Sequence, residues 1–113
     1  MSNLLQDKVA VVTGANRGIG KCITETFAEN GANIIACMRV INPESDKWIK
    51  NLESKFNISI NTVRLDLSDE QSVKDSIKQI FSISKKIDVL VNNAGVASGA
   101  LFQMTPVSEL RKI

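Results

Sequence analysis

Between Val11 and Arg39 the sequence reads VVTGANRGIGKCITETFAENGANIIACMR. An apolar β-branched run enters a loop with three glycines, continues into a helical repeat and returns to a second apolar run. Strands alternating with helices at these lengths imply right-handed crossovers and a parallel sheet. No other feature of the chain narrows its fold as far.

The rest of the sequence continues the alternation. Lys8–Gly14, KVAVVTG, reads as a first strand buried on both faces. A helix is predicted from about Arg17 to Glu29, with Ile19, Cys22, Ile23, Thr26 and Phe27 at helical spacing and Asn30-Gly31 to end it. NIIACM is a second buried strand, and Asn42-Pro43 supplies an N-cap and first residue for a helix carrying Trp48, Leu52 and Phe56 on one face. SINTVRLDL reads as a third strand. Ser68 and Gln71 form a candidate capping box for a helix whose stripe is Val73, Ile77, Ile80, Phe81 and Ser84. IDVLVNNAG is a fourth strand with its loop, and Thr105-Pro106 opens a further helix that Ile113 interrupts.

At 113 residues and 43% hydrophobic content the chain is at most one domain with a core, and 23% charged residues argue against disorder. A net charge of +2, with Lys85-Lys86 and Arg111-Lys112 as the longest basic pairs and no interleaved aromatics, argues against nucleic acid as a partner. No apolar run nears the roughly 20 residues needed to span a bilayer, and MSNLLQDK lacks the layout of a secretion signal. A cytoplasmic protein with no membrane partner is expected. With no histidine and no metal-ligand spacing, Cys22 and Cys37 are expected to be reduced core thiols, not metal ligands.

A parallel strand that feeds a helix through glycines aims free backbone N–H groups at one spot, where the helix dipole also favours negative charge. A phosphate or pyrophosphate fits there. Gly14 permits the turn, Gly18 allows the backbone to approach the anion, and Gly20 brings the helix in without a Cβ in the way. The loop lacks the Lys and Ser/Thr of a nucleoside-triphosphate loop, which counts against a kinase or ATPase. The glycines alone also fit a tight structural turn.

TGANRGIG after the first strand, Asp66-Leu67 after the third and Asn92 to Gly95 (NNAG) after the fourth together resemble the short-chain dehydrogenase/reductase family, from Lys8 onward. Within it the run TGANRGIGKCITETFAENGA looks most like bacterial β-ketoacyl acyl-carrier-protein reductases. The resemblance implies a Rossmann-type doubly wound α/β fold with a parallel sheet in the order 3-2-1-4, ending after the fourth strand. It implies that Gly14, Asn16, Arg17, Gly18, Ile19 and Gly20 wrap the cofactor phosphates and adenosine ribose, and that Asp66 and Leu67 bracket the adenine. Asn92, Ala94 and Gly95 would lie along the nicotinamide, with Asn92 also holding the fourth strand.

An NAD enzyme of this fold places a carboxylate at the end of the second strand, where it accepts the ribose hydroxyls and repels a 2′-phosphate. That region here reads Ala36, Cys37, Met38, Arg39, without an acid. Arg39 offers a planar, permanently charged fork, and Arg17 a second cation, so NADP(H) is the expected cofactor.

Family members transfer hydride with a Ser and a Tyr-x-x-x-Lys pair that would fall beyond Ile113, and this chain contains no tyrosine. Residues 1–113 are therefore expected to be the NADP(H)-binding half of an oxidoreductase acting on a small-molecule or acyl-carrier-bound carbonyl, inactive alone. A homo-oligomer is expected only of a longer form. A stand-alone NADP(H)-binding or interaction module and a nonfunctional truncated remnant are the alternatives. In each case the fourth strand would be an uncovered edge.

Overall fold

A computed structural model describes residues 3–93 of the chain. The expectations for Ala94, Gly95 and the helix at Thr105-Pro106 lie outside those residues. Four strands alternate with three helices: β1 (Val9–Thr13), α1 (Gly18–Glu29), β2 (Asn33–Met38), α2 (Pro43–Phe56), β3 (Ile60–Arg64), α3 (Glu70–Ile83) and β4 (Val89–Val91). The strands are parallel in the order β3-β2-β1-β4, as the crossover argument requires. Thr13 lies beside Cys37, and Met38 beside Arg64, so β1, β2 and β3 all end at one rim.

Alternate residues of the strands feed two cores. Val11, Ile35, Cys37 and Val63 face Val73, Ile77 and Ile80 of α3 on one side of the sheet. Val12, Ile34, Ala36, Met38 and Ile60 face Ala28 of α1 and Ile49 and Leu52 of α2 on the other. Each fully buried Val, Ile or Met contributes about 1.5–3 kcal/mol, which explains the apolar runs of β1 and β2. Cys37 is wholly buried, and burial pushes its thiol up to about 12, so it stays protonated and inert at neutral pH.

Three local expectations are corrected. The buried face of α1 is Gly20, Thr24 and Ala28, with Ile23 and Phe27 half-buried, whereas Ile19, Cys22 and Thr26 are exposed. Small residues at four-residue spacing let this helix approach the strand ends closely, and that requirement outweighs the apolar count. Cys22 is consequently a surface thiol. At α3 the cap is Asp69, whose carboxylate accepts from the amides of Gln71 at 3.0 Å and Ser72 at 3.4 Å. Ser68 is engaged elsewhere, donating from both its amide (3.1 Å) and its hydroxyl (2.6 Å) to Asp66 Oδ1. The cap at α2 is as expected: Asn42 Oδ1 accepts from the Ser45 amide at 2.9 Å, and Ser45 Oγ accepts from the Asn42 amide at 3.0 Å.

β4 pairs with β1, and among the described residues nothing pairs with its other edge. Asp88 fastens it: its amide donates to the Val9 carbonyl and its carboxylate accepts from the Val9 amide, each at 2.9 Å, with Lys86 Nζ at 3.6 Å. The Val9 amide, helped by the Lys86 and Lys8 charges, holds the Asp88 carboxyl below its ordinary value of 3.8 against some desolvation. A carboxyl depressed in the folded state stabilises it above the unfolded value and loses that contribution as pH falls through the folded one. Denaturant titrations from pH 6 down through about pH 4 and below should therefore show Asp88→Asn less stable than the parent at pH 6, the two converging in acid. A constant gap across that range would mean that the Asp88 charge plays no part.

Candidate functional site

The C-terminal rim of β1, β2 and β3 gathers most of the residues singled out in the sequence. Gly14 and Gly18 both hold positive φ, +62° and +45°, which only glycine adopts readily. The chain leaves β1 while Ala15 still donates to the Cys37 carbonyl at 3.1 Å, turns with the Arg17 amide on the Gly14 carbonyl at 3.4 Å, and enters α1.

Helices α2 and α3 begin with side-chain caps and acidic residues in their first turns; α1 has neither. Among the described residues no acceptor meets the amides of Asn16, Gly18, Ile19 or Gly20. Four open donors at the positive end of a helix dipole are suited to an oxyanion. Ile19 projects its side chain outward, 72% exposed, beside these donors.

Next to this turn lies a cleft of about 260 Å³ lined by Gly14, Asn16, Arg17, Arg39, Leu65, Asp66, Leu67 and Ser68. Three separated sequence segments thus meet in one concavity carrying two guanidinium groups, an apolar wall and one carboxylate. The Ser68 hydroxyl and amide hold the Asp66 carboxyl below its ordinary value, with smaller help from Arg39 and Arg64, so it is ionised at neutral pH. Its amide is fixed in turn by Ser72 Oγ at 3.1 Å.

Gly20 is the closest point in the site. A Cβ there would stand 2.1 Å from the Gly14 carbonyl oxygen and 2.6 Å from Asn93 Nδ2. Gly18, by contrast, has open space among the described residues where its Cβ would be.

The end of β4 is tied in by a residue that sequence reasoning passed over. Thr13, 1% exposed, accepts from the Asn93 amide at 2.9 Å and donates to the Val91 carbonyl at 3.3 Å. As a β-branched residue ending a strand it gave no sign beyond its place next to the glycine loop. Asn92 lies beside this bridge, and its Oδ1 is buried without a partner among the described residues. Thr13→Val keeps the shape and orphans the half-buried Asn93 amide, so it should lower stability by about 1–2 kcal/mol in denaturant melts. A change below about 0.5 kcal/mol, the range of an ordinary surface substitution, would show that the bridge is dispensable.

Comparison with known proteins agrees with this geometry. The sequence profile of the short chain dehydrogenase family matches residues 8–113. An uncharacterized oxidoreductase of Thermotoga maritima is 34% identical over 110 residues, 97% of this chain and 42% of the relative. The 3-oxoacyl-acyl-carrier-protein reductase of Aquifex aeolicus is 34% identical over 99 residues, 87% of this chain and 39% of the relative. The crystal structure of L-sorbose reductase from Gluconobacter frateurii, in complex with NADPH and L-sorbose, superposes with a TM-score of 0.82 at 27% identity, covering 98% of this chain and 50% of that one. This chain therefore spans about two fifths of the length of the two sequence relatives. With the profile covering nearly all of its length and the 3-2-1-4 parallel sheet in place, the chain belongs to the short-chain dehydrogenase family.

Proposed function

We propose that this chain is the NADP(H)-binding half of an oxidoreductase that moves hydride between NADPH and a carbonyl. The observation that carries the reading is the meeting of open glycine-turn amides with Arg17 and Arg39 in one cleft, at a β2 end that carries no acid. In this reading the amides of Asn16, Gly18, Ile19 and Gly20 bind the pyrophosphate. Arg17 and Arg39 bind the 2′-phosphate, and Asp66 and Leu67 flank the adenine. Asn92 Oδ1, buried without a partner among the described residues, supports a polar role on the nicotinamide side, proposed to be shared with Ala94 and Gly95. The bound cofactor supplies the hydride; these residues orient it and neutralise its phosphates.

A carbonyl that accepts hydride gathers negative charge on oxygen and needs a positioned acid. The family resemblance assigns that role to a tyrosine, and this chain has none. The substrate is proposed to be a 3-oxoacyl group or another small ketone, by analogy with the Aquifex relative.

Calorimetry on the 113-residue chain tests the reading. NADPH is expected to bind at least about tenfold more tightly than NADH, the worth of one charge-assisted bond. Absorbance at the reduced-nicotinamide band should stay constant when a 3-oxoacyl thioester is added. Equal affinity for the two dinucleotides would refute the NADP(H) assignment, and steady loss of absorbance would refute the inactivity of this half.

A further inference from the structure

Across Asn16 from the nucleotide cleft lies a second concavity, about 160 Å³, between the first turns of α1 and α2. Asn16 lines both and stands between them on the rim. Its walls are Lys21 from α1 and Asn42, Glu44, Ser45 and Trp48 from the α2 side.

Lys21 lies four residues past Arg17, the extended N-cap of α1, and its amide donates to the Arg17 carbonyl at 3.2 Å. Its ammonium lies over the Trp48 ring, 5.5 Å from the centroid. Glu25, the carboxylate one turn further on that would ordinarily pair with such a lysine, accepts the Trp48 indole N–H at 3.2 Å. The ion pairs among the described residues are Lys74–Glu70 and Lys86–Asp88, and Lys21 takes part in neither. An aromatic ring thus holds this cation in place while leaving its charge available.

The opposite wall repels anions. The Asn42–Ser45 capping box engages the Asn42 and Ser45 amides, and Glu44 and Asp46 stand in the first turn of α2. A phosphate reaching across Asn16 would therefore meet attraction from the α1 side alone. A phosphate monoester carries close to two charges at neutral pH, so a third cation nearby adds to the attraction of the two arginines.

We propose that Lys21 is a specificity-determining residue, a third cation that Trp48 positions for the 2′-phosphate beside Asn16, which lines both clefts. This rests on the NADP(H) reading of the first cleft, so its test must separate the two. Adenosine 2′,5′-bisphosphate and AMP differ only in the 2′-phosphate, and calorimetry on the intact 113-residue chain gives the ratio of their affinities.

Lys21→Met, which keeps the side-chain stem against Trp48, is expected to reduce that ratio about threefold to tenfold while AMP binding holds. Lys21→Arg should preserve the ratio. A large parental ratio that Lys21→Met leaves unchanged would overturn the inference and spare the NADP(H) reading. So would equal weakening of both nucleotides, since Lys21 would then only shape the turn. A parental ratio near one would remove the NADP(H) reading and this inference together.

Discussion

Gly20→Ala is expected to lower the melting temperature by roughly 5–15 °C and to weaken NADPH binding more than about tenfold. Alanine is the better helix former by about 1 kcal/mol, and on an exposed turn the substitution would stabilise α1. At this position the new methyl would stand 2.1 Å from the Gly14 carbonyl oxygen and 2.9 Å from its carbon. Both are backbone atoms, fixed by the turn that continues β1, so no side-chain rotation relieves the overlap. Overpacking of this kind costs about 1–3 kcal/mol, and where the neighbour is backbone the cost lies at the upper end and outweighs the propensity gain. Relief comes by shifting the start of α1 away from the rim, which carries the open amides out of line. Gly18→Ala separates the two causes: beyond its own turn nothing among the described residues lies within 4 Å of its Cβ, so the strain comes from φ +45° and the loss of stability should be smaller. A Gly20→Ala chain melting with the parent would show that the turn yields freely.

Arg39→Asp is expected to reverse the cofactor preference. Removing the guanidinium alone, in Arg39→Ala, forfeits a charge-assisted bond of about 1.5–3 kcal/mol, a tenfold to hundredfold loss in NADPH affinity. Aspartate adds repulsion of the 2′-phosphate and an acceptor for the ribose hydroxyls of NADH. Titration of both dinucleotides should show NADPH weakened at least about a hundredfold and NADH strengthened. The exposed position of Arg39, at the lip of the cleft and beyond the last residue of β2, makes both changes tolerable to the fold. If Arg39→Ala binds NADPH as the parent does, the phosphate lies elsewhere.

Strand order was legible because it follows from connection rules: apolar runs long enough for strands and too short for helices, joined by helices, admit few parallel arrangements. The cleft was legible to the same degree, since Gly14, Asn16, Arg17, Arg39, Asp66 and Leu67 all sit just past strand ends. Helix faces were less so. Counting apolar residues placed Ile19 and Cys22 inside, whereas the helix turns Gly20, Thr24 and Ala28 inward because closeness to the rim matters more there than area. The cap of α3 was misplaced by one residue because Ser68 and Asp69 are both competent caps, and the choice fell to Asp66, which captures Ser68. Thr13 and Asn93 fall within the TGANRGIG and NNAG motifs, but their contact joins residues distant in sequence, and local pattern carries no record of it.

The pairing of β1 with its two neighbours also fixes an order of events in time. Val9 finds Asn33 across one short crossover, but the bond between the Val9 amide and Asp88 spans 79 positions. Closing the longer loop costs about 1 kcal/mol more chain entropy, repaid by the short β4 and by the Asp88 and Asn93 contacts that flank it. A nascent chain can therefore assemble β1, β2 and β3 while β4 is still being made, and β4 joins a sheet already in register. The Thr13 bridge forms at that late step, so its loss should quicken unfolding far more than it slows folding.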